Sequence, residues 1–331
     1  MKLVTFEAGK KARVGVVEGE WVLSVEAMIS LLRRRKASKT AAEKPGFRRA
    51  TQALLEGEVP QDMIELLGRG AAWRSALRTV AGTLAPERRF GGGAKGPKGR
   101  GPGDSLAVPL AKAKLLAPIA RPGKITCVGL NYADHAREQG IEPPDRPIFF
   151  LKSSNTICGP GDAIQLPPNS SQVDYEAEFA VVLGKRGRRI PEEKAMSYVA
   201  GYMILHDVTA RDMQFGDNQW FRGKSCDTFA PTGPWIVTPD EVPDINNLRI
   251  ALSLNSQTLQ DSNTSNLIFK VPFLISYLSQ SLTWEPGDLL STGTPPGVGV
   301  FRKPPVFLKP GDSVSVTVEH LGTLTNPVRE P

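Results

Sequence analysis

Hydrophobic residues enter this chain in runs of strand length. Leu3-Val4-Thr5-Phe6, Arg13-Val14-Gly15-Val16-Val17 and Trp21-Val22-Leu23 are separated by glycine and charged residues, the pattern of adjacent short strands. The period then changes. Apolar positions three and four apart near 25–35, 48–56 and 61–80 predict amphipathic helices. Strand-like runs return at 124–128, 148–151, 176–183, 201–205, 235–237, 248–254 and 313–318, with helices expected over 131–139, 191–199, 208–215 and 270–281. Pro-Gly-Asp occurs at 160–162, 286–288 and 310–312, each time leading into such a run. Proline then glycine at the two central positions is type II turn chemistry, so these are structural corners. The stretch ERRFGGGAKGPKGRGPGD over 87–104 has nothing to bury. The predicted organisation is a small α+β unit over 1–86, a Gly/Pro/basic linker or disordered insert over 87–114, and a β-rich α+β domain over 115–331, built as a packed or rolled sheet.

With 331 residues, the chain is long for one core and suits a large domain with a smaller one. No run approaches the roughly 18 consecutive apolar residues of a membrane span. The cysteines, Cys127, Cys158 and Cys226, form no CxxC pair, which argues against a disulfide scaffold or thiolate zinc site and for a reducing compartment. The first residues contain no apolar signal-peptide core, and a strand beginning at residue 3 with Glu7 and Glu18 close behind does not read as a mitochondrial presequence. The cytoplasm is the expected compartment, with mitochondria still open.

The net charge of +7 invites a nucleic-acid reading, but its distribution weakens it. Residues 1–116 carry 22 Lys and Arg against 11 Asp and Glu, whereas 117–331 carry 19 against 23. The basic surplus is confined to the first third and reads as solvated surface or loop.

The sharpest chemistry lies in Asp174-Tyr175-Glu176-Ala177-Glu178-Phe179-Ala180. On a strand Glu176 and Glu178 share a face, and Ala180 and Val182 continue that face into a core. Two interior carboxylates raise one another's pKa unless a cation compensates, and hard divalent cations favour such oxygen ligands. A solvated acidic face is the ordinary alternative. Asp207 closes the apolar run 201–205, with Arg211 and Gln214 four and seven residues on. His135 and Glu138 sit three apart on one helical face, by itself an ordinary surface pair. Lys224 reads as a surface lysine. The turn-rich loop 292–297 offers backbone amides and the Thr294 hydroxyl to a substrate carboxylate. A dinucleotide fingerprint, a GxSxG elbow, a P-loop and HExxH are all missing.

Five ordered blocks carry a resemblance: CVGLNYADHAREQG (127–140), EAE (176–178), HDVTARDMQ (206–214), FRGKSCDTFAPTGP (221–234) and STGTPPGVGVF (291–301). Over about 124–328 they resemble the fumarylacetoacetate hydrolase family. FRKPPVFLKPGD (301–312) most resembles its animal "domain-containing 2" branch. The resemblance implies a mixed β-sandwich or roll as the catalytic domain, and Mg²⁺, or else Mn²⁺ or Ca²⁺, on Glu176, Glu178 and Asp207. It implies a His135/Glu138 acid–base dyad on a lid helix, Lys224 as a fixed positive charge at the site, and Arg211 and Gln214 as substrate-facing, with tethering of a neighbouring carboxylate an equal alternative for Arg211. His206 is expected to pack or support the site, and His320 to be structural.

The implied activity is metal-dependent chemistry on a small enolisable 2-oxo dicarboxylate or acylpyruvate, in a homodimer without membrane or nucleic-acid partners. C–C hydrolysis, oxaloacetate decarboxylation and keto–enol tautomerisation share the site. The branch resemblance favours oxaloacetate tautomerisation, with acylpyruvate- or fumarylacetoacetate-type hydrolysis next. The rival of another class is a non-catalytic protein whose basic first third binds nucleic acid or an anionic surface.

Overall fold

Strands β1 (Lys2–Ala8), β2 (Lys11–Glu18) and β3 (Trp21–Ser24) form an antiparallel meander at the predicted positions. The computed structural model describes residues 1–37, 45–85 and 106–330. Helices α1 (Val25–Ala37), α2 (Pro45–Leu55), α3 (Met63–Gly68) and α4 (Gly70–Leu84) follow. The periodic stretch 61–80 is two helices, because Gly70 at φ 83° is left-handed and breaks the ladder. Asp62 starts the first of them by accepting from the Glu65 N–H at 2.9 Å.

The expected 87–114 linker needs correction at its C-terminal end. Strand β4 (Ala107–Pro109) pairs with β3, and a 3₁₀ turn follows over Leu110–Lys112. The Gly/Pro/basic stretch 87–104 lies outside the described residues.

The rest of the chain supplies β5 (Ile125–Gly129), α5 (Ala133–Gln139), β6 (Ile148–Lys152), β7 (Ala177–Leu183), β8 (Val199–His206), α6 (Arg211–Gly216), α7 (Phe221–Lys224), β9 (Ala230–Val237), β10 (Arg249–Leu254), β11 (Gln257–Asn263), α8 (Val271–Ser279), β12 (Leu289–Ser291), β13 (Ser313–Val318) and β14 (Gly322–Arg329). The helix expected over 191–199 is a 3₁₀ helix, Glu192–Tyr198. The one expected over 208–215 starts later, because Thr209 and Ala210 are extended and pair with Val173 and Asp174.

One sheet runs β4-β3-β2-β1-β9-β8-β7-β12-β5-β6, and a second runs β11-β10-β13-β14 with Ile164–Gln165 at its edge. The N-terminal strands are therefore part of the large sheet, joined where β1 pairs antiparallel with β9. Alternation along β7 builds two cores. Phe179 and Val181 face Ile250, Leu252, Val316 and Leu274 of the second sheet and α8. Ala180 and Val182 face the other way and share a core with Met28, Leu66, Leu77 and Val80 of the N-terminal helices. Each fully buried Val, Leu, Ile, Phe or Met here contributes roughly 1.5–3 kcal/mol, so the helices and the large sheet stabilise one another. Among the described residues no helix is long and apolar enough to cross a membrane.

The three Pro-Gly-Asp corners are the same turn repeated. Gly161, Gly287 and Gly311 have φ of 77°, 85° and 91°, the left-handed third position of a type II turn. Each aspartate accepts from the amide three residues back: Asp162 from Gly159, Asp288 from Glu285 and Asp312 from Lys309, at 2.7–2.8 Å.

Antiparallel pairing places the start of β7 beside the end of β8 and the end of β12, and parallel pairing brings the end of β5 to the same rim. Every motif of the carboxylate constellation meets there.

Candidate active site

Glu176 lies just before β7 and Glu178 within it, while Asp207 follows the last residue of β8. The Asp207 N–H donates to the Glu176 carbonyl at 2.9 Å, which fixes the two backbones together. One carboxylate oxygen from each of Glu176, Glu178 and Asp207 lies within 4.8 Å of the others, and all three residues are buried. Burial and the neighbouring Asp207 and Glu176 charges push the Glu178 carboxyl well above the usual range. Burial alone would raise Glu176 too, but Lys224 and Arg211 bring it down to about 2.

The compensating cations are themselves buried. Lys224 donates to Glu176 Oε2 at 2.8 Å and to Asp207 Oδ2 at 2.7 Å, so the lysine that reads as surface in the sequence is 2% exposed. Burial would lower its pKa; Asp207 and Glu176 raise it instead. Lys152, at the end of β6, donates to Asp207 Oδ1 at 2.6 Å and to the Val208 carbonyl at 3.1 Å. Arg211 donates through Nε to Asp174 at 2.8 Å, sets Nη2 2.6 Å from Glu176 Oε1 and donates through Nη1 to Gln214 Oε1 at 2.9 Å. Asp174 in turn accepts from the Gly299 and Val300 amides at 2.7 and 3.0 Å. A Cβ on Gly299 would land 2.6 Å from that carboxylate, so only glycine admits the contact.

Counting Asp174, four buried carboxylates face three buried cations here. An all-oxygen donor set with an uncompensated negative charge fits a hard divalent cation. Glu176, Glu178 and Asp207 are the residues that could hold it.

The structure brings His135 and Glu138 together on α5. His135 Nδ1 and Glu138 Oε2 are 2.9 Å apart, and Glu138 Oε1 accepts from the Gly297 amide at 2.9 Å. Burial would raise Glu138, but His135, the Gly297 amide and Arg302 hold it below the usual carboxylate range. Its helix is pinned through Asp134, which accepts from Ser262 at 2.5 Å and Asn266 at 3.0 Å. The amides of loop 292–297 differ from expectation: those of Gly293 and Gly297 go to Glu178 and Glu138 rather than facing a ligand. Thr294 Oγ1 accepts from Gln260 Nε2 at 2.9 Å, leaving its hydroxyl proton to donate. His206 is fully enclosed and held neutral, its pKa lowered to about 3 by burial and by Lys152. His320 is on the surface, 3.9 Å from Glu319.

A cavity of about 110 Å³ collects His135, Glu176, Glu178, Arg211, Gln214, Lys224 and Thr294 on one lining, with Gln139 beside them. Its apolar wall is Phe150, Phe215, Trp220 and Phe301. Glu138 and Asp207 stand one contact behind. The volume is well under the roughly 300–1,000 Å³ of drug-sized sites, so the occupant is small. Sequence reasoning missed Lys152, Asp174, Gln260 and the aromatic wall. The "FLK" ending of β6, a charge closing an apolar strand, was the available signal for Lys152.

A buried oxygen triad that could hold a metal ion, a histidine–carboxylate pair and fixed cations around so small a space make the layout of an enzyme acting on a small molecule. The family profile described as "Fumarylacetoacetate (FAA) hydrolase C-terminal" matches residues 124–329. The mitochondrial oxaloacetate tautomerase FAHD2A of Bos taurus is 46% identical over 275 residues, covering 82% of this chain and 81% of that protein. Its Homo sapiens counterpart is 44% identical over 272 residues, covering 82% and 80%. Among solved structures, fumarylacetoacetate hydrolase from Exiguobacterium antarcticum superposes with a TM-score of 0.74 at 31% identity, covering 100% of both chains. Maleylpyruvate hydrolase from Sphingobium sp. SYK-6, in complex with manganese(II) and pyruvate, gives 0.71 at 27% identity and covers 100% of this chain and 99% of that one. The chain belongs to the fumarylacetoacetate hydrolase family.

Lys152→Met should remove the inner partner of Asp207 and leave a buried charge short of compensation. The expected cost is roughly 3–5 kcal/mol, read as a fall in the midpoint of urea unfolding; an unchanged midpoint would show that Lys152 bears none of this load.

Proposed function

We propose that this protein is an oxaloacetate keto–enol tautomerase. The observation that carries the reading is a histidine tied at Nδ1 to Glu138 whose ring borders a small cavity rimmed by fixed positive charge. The high identity to proteins named oxaloacetate tautomerases selects the substrate. Mg²⁺ on Glu176, Glu178 and Asp207, with Mn²⁺ or Ca²⁺ as alternatives, supplies Lewis-acid stabilisation of developing negative charge when bound.

In the keto-to-enol direction the proton on C3 passes to His135 Nε2, and the C–H electron pair becomes the C2–C3 double bond. Glu138 holds the ring and stabilises the imidazolium. Lys224 and Arg211 place positive charge beside the oxygen on C2 as it becomes anionic. A proton returned to that oxygen completes the enol, and the reverse path uses the same groups. Gln214, whose oxygen is taken by Arg211, keeps its amide N–H for substrate, and the Thr294 hydroxyl donates beside it. The aromatic wall gives the cavity an apolar side, which suits a reaction that consumes no water.

Glu178→Ala should lose Mg²⁺ binding in calorimetry together with activity; full activity in the metal-stripped variant would remove the carboxylate triad from the mechanism. His135→Ala should slow the decay of enol-oxaloacetate absorbance by about 10²–10⁴ while metal binding survives. The likeness to a maleylpyruvate hydrolase structure favours hydrolysis as the second reading. Fast release of pyruvate and acetate from acetylpyruvate by NMR, with negligible enol-oxaloacetate decay, would promote it.

The assembly we propose is a homodimer, with a light-scattering mass near twice the 35.8 kDa chain at micromolar concentration. The cytoplasm stays our proposed compartment. The relatives are named as mitochondrial, and imaging of a C-terminal fusion discriminates between the two.

A further inference from the structure

Gln139 is the last residue of α5, one turn beyond His135, before the chain leaves the helix at Gly140 with φ 66°. Its side-chain Nε2 lies 2.8 Å from His135 Nε2. The chemistry of this contact follows from the other end of the ring. An ionised Glu138 can only accept, so Nδ1 carries a proton, and the Gln139 Nε2 can only donate, so the ring nitrogen facing it presents its lone pair. The Gln139 amide therefore donates into the lone pair that the proposed reaction needs free. A donor in that position and a C–H approaching the same nitrogen exclude one another.

We propose that Gln139 masks the base in the resting enzyme and, once displaced by substrate, donates its amide N–H to the carboxylate on C4, making it the residue that distinguishes a 2-oxo dicarboxylate from a 2-oxo acid lacking that group. The inference rests on the tautomerase reading. When C3 sits against His135 Nε2, the C4 carboxylate is one bond away, in the region the amide has just left. Lys224 is committed to Glu176 and Asp207, Arg211 to Asp174, Glu176 and Gln214, and the Gly293 and Gly297 amides to Glu178 and Glu138. The Gln214 amide and the Thr294 hydroxyl keep a proton to donate, but it is Gln139 that touches His135 Nε2, the atom beside which C3 and C4 must lie. Gln139 borders the same cavity and is partly exposed at a helix end, so it can swing without disturbing the core. Pyruvate, which enolises at the same carbon but carries no C4 group, offers the displaced amide nothing.

The test is Gln139→Met, which keeps the length and removes the amide. A hydrogen bond to a charged group is worth roughly 1.5–3 kcal/mol, so kcat/KM for oxaloacetate enolisation should fall about tenfold to a hundredfold, mostly through KM. Deuterium exchange at the pyruvate methyl, followed by NMR, should stay level or rise because the base is unmasked. A third arm uses no substrate. With three histidines in the chain, the ¹⁵N resonance of His135 Nε2 can be assigned. It should move from a hydrogen-bonded to a free imine position in the variant, and stay hydrogen-bonded in the wild type with Mg²⁺ and oxalate, which has no C3 or C4. Equal losses on both substrates, no loss on oxaloacetate, or an unmoved ¹⁵N resonance would each overturn the role of Gln139. A wild-type enzyme that fails to turn over oxaloacetate would overturn the tautomerase reading instead.

Discussion

The structure depends on enclosing three like charges at the rim where four strands end. Glu176, Glu178 and Asp207 cannot be buried together unless something cancels their repulsion, and the chain sends a cation from each of three directions: Lys152 from a sheet-edge strand, Arg211 from a short helix, Lys224 from the next. Each ion pair is therefore also a tertiary constraint. Lys152 holds the last strand of the large sheet against the end of β8, and Lys224 ties α7 to two carboxylates at once. The segments that deliver charge to the site are the segments that close the sheet around it.

Asp174 extends the same logic outward. Its carboxylate joins Arg211 to the amides of Gly299 and Val300, so the chain that carries Phe301 to the cavity wall is seated by an electrostatic contact behind the site. Polar order thus propagates from the triad to the apolar wall without passing through solvent. The hydrophobic cores on the two faces of β7 hold the strand from both sides, and the charge network sits where those cores run out.

Much of the site was legible because its residues carry opposed signals. Glu176 and Glu178 stand out by preceding Ala180 and Val182 on one strand face, and Asp207 by ending an apolar run. Lys152 carries the same signal as Asp207, a charge closing an apolar strand, but Asp174 and Gln260 carry none: each sits in a polar stretch where a carboxylate or an amide is ordinary. Gln257–Asn263 is an edge strand whose mostly polar residues offer no alternation to read, and Leu289–Ser291 is too short for any period. The union of the N-terminal meander with the large sheet was illegible for another reason. Alternation in β1 announces that Leu3 is buried but not that its strand pairs with Ile236 and Val237. The Lys224 ammonium reads as surface because local sequence does not reveal which acids will surround it.

Loop 292–297 hands one amide to Glu178 and another, four residues later, to Glu138. The separation of those two carboxylates is thereby set by a short span of backbone, as a drill jig sets the distance between two bores. Side chains around the loop can change without altering that spacing, because both carboxylates hang from the same strip of main chain.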